Sequence, residues 1–129
     1  MTTLPIKSNN ETYSLLCGEE SYEKLSGTVN GCTVTVIAIK LGRVVELDIR
    51  YTGDLAKENT LYTILTLSEK YRPIDGTKYL IVPEYVNNVW WNTGITRYMI
   101  NSDGTIKLYG TSAHWSERSG TITYIGNSL

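Results

Sequence analysis

Between Val45 and Thr52 the chain alternates with a period of two. Val45, Leu47, Ile49 and Tyr51 fall on one side, and Glu46, Asp48, Arg50 and Thr52 on the other. Successive side chains of an extended strand point to opposite faces, so this run predicts a strand with one face in a core and the other in water. The preceding run, Cys32 to Lys40, reads CTVTVIAIK, rich in β-branched residues and apolar on both sides near its end. Only the short Leu41-Gly42 step separates the two runs, which predicts a hairpin. Further strands are predicted at Leu61 to Leu67, Tyr79 to Pro83, Ile95 to Ile100, Thr105 to Tyr109 and Gly120 to Ile125.

Turn chemistry punctuates these runs at Thr52-Gly53-Asp54, Asp75-Gly76, Asn92-Thr93-Gly94, Ser102-Asp103-Gly104 and Gly110. The clearest unit is ITRYMINSDGTIKLYG, Ile95 to Gly110, where Asp103 and Gly104 supply the backbone angles of a tight hairpin turn between two strand-like runs. Short strands at this spacing predict an all-β fold, a compact antiparallel β-sandwich or barrel. Gly18 to Leu25 and Asp54 to Asn59 are the segments in which a single helical turn is the most to expect, because neither sustains a 3.6-residue apolar pattern.

A chain of 129 residues predicts one domain with a real core. The first part is the least patterned, so residues 1–25 read as a leader or shoulder segment and 26–129 as the β-sandwich domain. With 41% hydrophobic and 19% charged residues, the chain is too apolar for disorder. Twelve basic against 13 acidic side chains leave a formal charge of −1, which argues against a surface for nucleic acid. No apolar run approaches the ~18 residues of a membrane span, and MTTLPIKSNN lacks the layout of a signal peptide. Cys17 and Cys32 have the option of one disulfide, but two thiols of a chain folded in a reducing cytoplasm are the expectation.

Candidate chemistry is sparse. His114 is the single histidine, neither cysteine is near it in sequence, and no cysteine and histidine spacing suits zinc. No nucleophile elbow or glycine-rich phosphate loop is present, and no pair of carboxylates is picked out for glycoside hydrolysis. Asp103-Gly104 lacks the ladder of oxygen ligands of a calcium loop and is explained by turn chemistry. The sequence therefore predicts no enzyme, no metal and no cofactor.

Aromatic residues are another matter: 10 tyrosines and 3 tryptophans stand against no phenylalanine. Tyrosine, apolar in body and polar at its tip, suits a recognition surface, and strands also favour it, so both readings stand. Trp90 and Trp91 in YVNNVWWNTG, and Trp115 beside His114, are candidate platforms for the apolar face of a sugar, with Asn87, Asn88 and Asn92 as hydrogen-bonding partners. Neighbours on a strand point to opposite faces, so at most one of Trp90 and Trp91 faces a given site. Packing in the core or between subunits is the other role open to each tryptophan.

Tyr71-Arg72-Pro73 interrupts two strand-like runs with a bulky aromatic and an arginine. Proline restricts the residue before it to extended backbone, which predicts a stiff corner in which Tyr71 packs over a strand end and a carboxylate or backbone carbonyls hold Arg72.

Five motifs follow in fixed order: VELDIRYTG (Val45 to Gly53), LYTILTLSEKYRP (Leu61 to Pro73), YLIVP (Tyr79 to Pro83), YMINSDGTIKLYG (Tyr98 to Gly110) and SGTITYIG (Ser119 to Gly126). The series resembles the C-terminal head domain of tail receptor-binding and tail-fibre or baseplate proteins of long-tailed phages of Gram-positive bacteria, over roughly Leu25 to Leu129. It departs from that family's Leu-Pro-x-Gly-Tyr-Arg-Pro in having Leu67-Ser68-Glu69-Lys70-Tyr71-Arg72-Pro73, and Asn30-Gly31 is followed by Cys32 where the family has tryptophan. The resemblance implies a homotrimer at the tip of a virion's tail, assembled in the bacterial host cytoplasm beside other tail or baseplate proteins. It also implies attachment to host cell-wall saccharide or teichoic acid. Saccharide contact is then expected around Trp90, Trp91, Asn92, His114 and Trp115. A structural trimerisation or assembly role is the alternative, and a small carbohydrate-active enzyme the third.

Overall fold

The computed structural model describes residues 20–86 and 89–127, with backbone alone for 85, 86 and 89–93. The described residues form nine strands: β1 (Glu20–Val29), β2 (Cys32–Leu41), β3 (Val44–Gly53), β4 (Leu61–Thr66), β5 (Lys78–Val86), β6 (Val89–Ile100), β7 (Thr105–Gly110), β8 (Ser116–Glu117) and β9 (Gly120–Ile125). All pairings are antiparallel, in the order β1-β2-β3-β8-β5-β6-β7-β4, with β9 also on β3. The protein is thus all-β, with antiparallel sheets packed together.

One long strand joins the two layers. The first half of β3 pairs with β9, and its last residues, Thr52 and Gly53, pair with β8. Glu117 of β8 lies opposite Tyr85 of β5, so β8 carries the ladder into the second layer. At the far ends β1 and β4 come together, where a Cβ on Gly27 would collide with the carbonyl of Ile64. The two ends therefore meet through a position that only glycine fits.

The alternation predicted for β3 holds: Val45, Leu47, Ile49 and Tyr51 are buried, while Glu46, Arg50 and Thr52 are exposed. Val34, Val36 and Ala38 of β2 face the same core, and Tyr98, Ile100, Ile106 and Leu108 meet them from β6 and β7. Each fully buried aliphatic side chain of this kind contributes about 1.5–3 kcal/mol relative to exposure.

Several expectations need correction. A boundary between residues 25 and 26 runs through the middle of β1, which pairs with β2 along its whole length from Glu20↔Leu41 to Val29↔Cys32. Residues 20–25 therefore belong to the sheet, as strand and not as a helical turn; Cys17 and the rest of the leader lie outside the described residues. Asp54 to Asn59 is turn and bend, and the helical turn lies instead at Glu69–Tyr71, a single 3-10 turn. The β1–β2 hairpin turns on Asn30 and Gly31, with φ of 52° and 79°, the two positive angles that a type I′ turn requires. In the Asp103-Gly104 hairpin only Gly104 is left-handed (φ 92°); Asp103 Oδ1 accepts from the Thr105 amide and hydroxyl.

The Tyr71-Arg72-Pro73 corner is tied at each residue. Tyr71 is fully buried, its hydroxyl 3.2 Å from Ser21 Oγ, and its carbonyl accepts from the Tyr124 hydroxyl. Arg72 is extended (φ −81°, ψ 144°) and donates through Nε to the Leu67 carbonyl at 3.1 Å. Pro73 bridges to Gly126, which anchors the corner on the residue that follows β9.

Candidate functional site

The aromatic segments singled out above converge at one end of the molecule. In the β5–β6 ladder, Trp91 stands opposite Glu84 and Trp90 opposite Tyr85, and Tyr85 is in turn opposite Glu117, two residues beyond Trp115. The register slips here: Ile95 faces Pro83 but Trp91 faces Glu84, so Asn92, Thr93 and Gly94 are additional on β6. Such bulges bend a strand and re-aim what it carries. The side chains of Trp90, Trp91 and Asn92 lie outside the described residues, as do Asn87 and Asn88. His114 and Trp115 are both exposed, Trp115 to 59%.

The segment 111–117 that presents these two residues is held from below by hydrogen bonds along its backbone. The amide of Thr111 donates to the Ile95 carbonyl at 3.0 Å, and the amide of Leu55 donates to the Ala113 carbonyl at 3.2 Å. The His114 carbonyl accepts from Arg118 Nη2, and the amide of Arg118 donates to Tyr51 at 2.7 Å. A loop fixed at such intervals has little backbone entropy left to lose on binding.

Beneath the loop is a buried polar cluster that the sequence reading did not single out. Arg118 and Glu84 are both fully buried, with Nη1 of the arginine 2.6 Å from Oε2 of the carboxylate. Thr96 Oγ1 lies 2.8 Å from the same Nη1 and donates to Glu84 Oε2, while Ser112 donates to Glu84 Oε1. Tyr98 donates to the Arg118 carbonyl, and burial raises its pKa well above the usual tyrosine range. Arg118 Nε is buried without an acceptor among the described residues. The cluster joins β5, β6, β7's outgoing loop and β8, and so locks the hairpin bearing Trp90 and Trp91 to the segment bearing Trp115.

A sequence signal for this cluster did exist. Leu80, Val82 and Glu84 follow one another on the inward phase of β5, and a carboxylate on a buried phase demands a hydrogen-bonded counter-ion. Gly94 leaves the space, since a Cβ there would collide with Glu84 Oε1.

The arrangement can bind by stacking and by hydrogen bonds from a rigid loop. Among the described residues no group of three or more His, Cys, Asp or Glu side chains stands close enough to hold a metal ion, and no helix is long and apolar enough to cross a membrane. Tyr71, Arg72, Pro73, Asp103 and Gly104 form a separate structural cluster, in which a Cβ on Gly104 would stand 2.6 Å from Arg72 Nε. No protein-family model matches the chain, and no curated protein matches it.

Proposed function

We propose that this chain is the non-catalytic receptor-binding head of a phage tail, one that attaches to host cell-wall saccharide or teichoic acid from the tip of the virion. The observation that carries the reading is Trp115, 59% exposed on a backbone fastened through Ala113, His114 and Arg118, at the end of the ladder where Trp90 and Trp91 stand. A large aromatic surface exposed to water on a hydrogen-bonded backbone stacks on a sugar with little backbone ordering left to lose, and His114 is its neighbour along the chain. The order of motifs from Val45 to Gly126 supports the assignment to a tail protein. Each such site is weak alone, and presentation in a homotrimer among other tail or baseplate proteins multiplies the avidity.

Binding of the purified protein to host cell walls tests the reading. Trp115→Ala is expected to lose wall binding with an unchanged melting temperature, because its ring is mostly outside the core. Wild-type protein that ignores every wall preparation, or a Trp115→Ala variant that binds as well as wild type, overturns it.

A structural assembly role is the second reading, favoured by the exposed apolar face at Tyr79, Ile81 and Ile95. It predicts that substitutions on that face change assembly and leave wall binding per subunit intact. Release of sugar from wall polysaccharide is the measurement that would point to an enzyme.

A further inference from the structure

Two outward sheet faces carry apolar side chains that are exposed among the described residues. On the first, Leu41, Val44 and Ile125 share a cross-strand rung, and Tyr22 and Ile39 share the next. Tyr22 is 63% exposed, Val44 45% and Ile125 46%. Ile39, Leu41 and Val44, with Glu20 and Glu46, line a depression of about 400 Å³. Asp48 on this face is paired with Arg50 at 3.1 Å, and Lys24 lies one rung beyond Tyr22, so the charges at the depression itself are Glu20 and Glu46.

The second face lies on β5, β6 and β7. Tyr79, Ile81 and Ile95 are exposed there, and Arg97 stands among them, opposite Ile81 on one side and Tyr109 on the other. Its guanidinium lies 5.8 Å from the centre of the Tyr79 ring and 5.3 Å from that of Tyr109. Among the described residues no carboxylate pairs with Arg97, and its Nε is buried without an acceptor. The outward charges of these three strands are Arg97 and Lys107; Glu117, on β8, stands at the Tyr85 end of β5.

We infer that these faces are the two halves of one interface between copies of this chain: the depression of one copy receives Ile81, Ile95 and Arg97 of the next, and Arg97 meets Glu46. Both surfaces are apolar at the centre, where burial drives association, and the charges that line the depression, Glu20 and Glu46, are opposite in sign to Arg97, which sets the register. An anionic polymer alone would satisfy Arg97 but leave Ile81 and Ile95 in water. The halves lie on different faces, so the contact is heterologous, and its repetition closes a ring or extends a filament. It uses no residue of the 111–117 segment and does not depend on saccharide recognition there.

Sedimentation of the 129-residue chain as wild type, Arg97→Glu, Glu46→Arg and the double variant tests the inference. Wild type is expected well above the 14.5 kDa of one chain. Each single variant is expected to weaken assembly by about tenfold or more, because it sets like charges together, and the double variant to restore it. Glu46 is exposed, so Glu46→Arg is expected to keep the wild-type melting profile, whereas Arg97→Glu gives up the ring contacts to Tyr79 and Tyr109, and the masses of all four proteins are therefore compared well below their melting transitions. Wild type that stays at one chain's mass up to its solubility limit overturns the inference, as do single variants that assemble normally or a double variant no better than either. Arg97→Glu that loses binding to an anionic polysaccharide without any change in mass assigns the face to a ligand and equally overturns it.

Discussion

Arg118 and Glu84 lie 34 residues apart in sequence, yet their side chains meet at 2.6 Å with neither exposed to solvent. Loss of one partner leaves a buried charge uncompensated. Arg118→Met is therefore expected to cost about 3–5 kcal/mol of stability in urea unfolding. The double variant Arg118→Met with Glu84→Leu should recover most of that loss, since two well-packed apolar residues replace an ion pair at little net cost. A double variant as unstable as the single one would show that the cluster's wider hydrogen bonding, and not the charge pair, dominates.

The meeting of β1 and β4 rests on a missing side chain. Gly27→Ala places a methyl group against the Ile64 carbonyl and the Ile64 side chain, with backbone as the main obstacle. We expect a loss of about 1–3 kcal/mol. Ser26→Ala, one position away and exposed, should change stability by no more than ~0.5 kcal/mol. Comparison of the two melting temperatures checks this.

Arg72→Lys keeps the charge at the corner but removes the Nε–H that reaches the Leu67 carbonyl at 3.1 Å. The expected cost is about 1 kcal/mol. An unchanged melting temperature for Arg72→Lys counts against a structural role for the guanidinium.

Three buried tyrosines link stability to alkaline pH. Burial, reinforced by Cys32, raises the Tyr51 pKa from about 10 to about 12, and burial raises Tyr98 and Tyr124 as well. The folded state thus favours the protonated form. Its stabilising effect is whole below pH 10 and is lost as the pH rises from about 10 through about 12. Melting temperatures should fall across that window. Tyr51→Phe should flatten the fall, while lowering stability at neutral pH through loss of the hydroxyl's hydrogen bond to the Asp54 carbonyl. An identical slope for the variant would remove Tyr51 from the account.

Legibility differed from element to element for physical reasons. β3 was plain because its two faces differ sharply in polarity, Leu47 and Ile49 against Glu46 and Arg50. β1 was obscure because its inward phase is Ser21, Glu23, Leu25, Gly27 and Val29, and its outward phase is polar apart from Tyr22. The legible signal was the Asn30-Gly31 turn, which sits between β1 and β2 as a type I′ hairpin requires. Of the candidate site, the tryptophan and histidine segments could be named from the sequence. The ion pair that fastens them together could not, although Glu84 on the inward phase of β5 was a warning.

Alternation, turn residues and proline are local, so the sequence by itself determined the all-β class, the buried phase of β3, the Asp103-Gly104 hairpin and the extended backbone at Arg72. Each follows from a period or a dihedral preference that acts within a few residues. Tertiary structure alone decided the passage of the ladder from β3 to β5 through β8, the burial of Arg118 against Glu84, the exposure of Trp115 and the opposite charges of the two outer faces. These depend on which distant segments become neighbours, and pairing between strands tens of residues apart is set by the global fit of faces, edges and charges, which no short stretch of chain encodes.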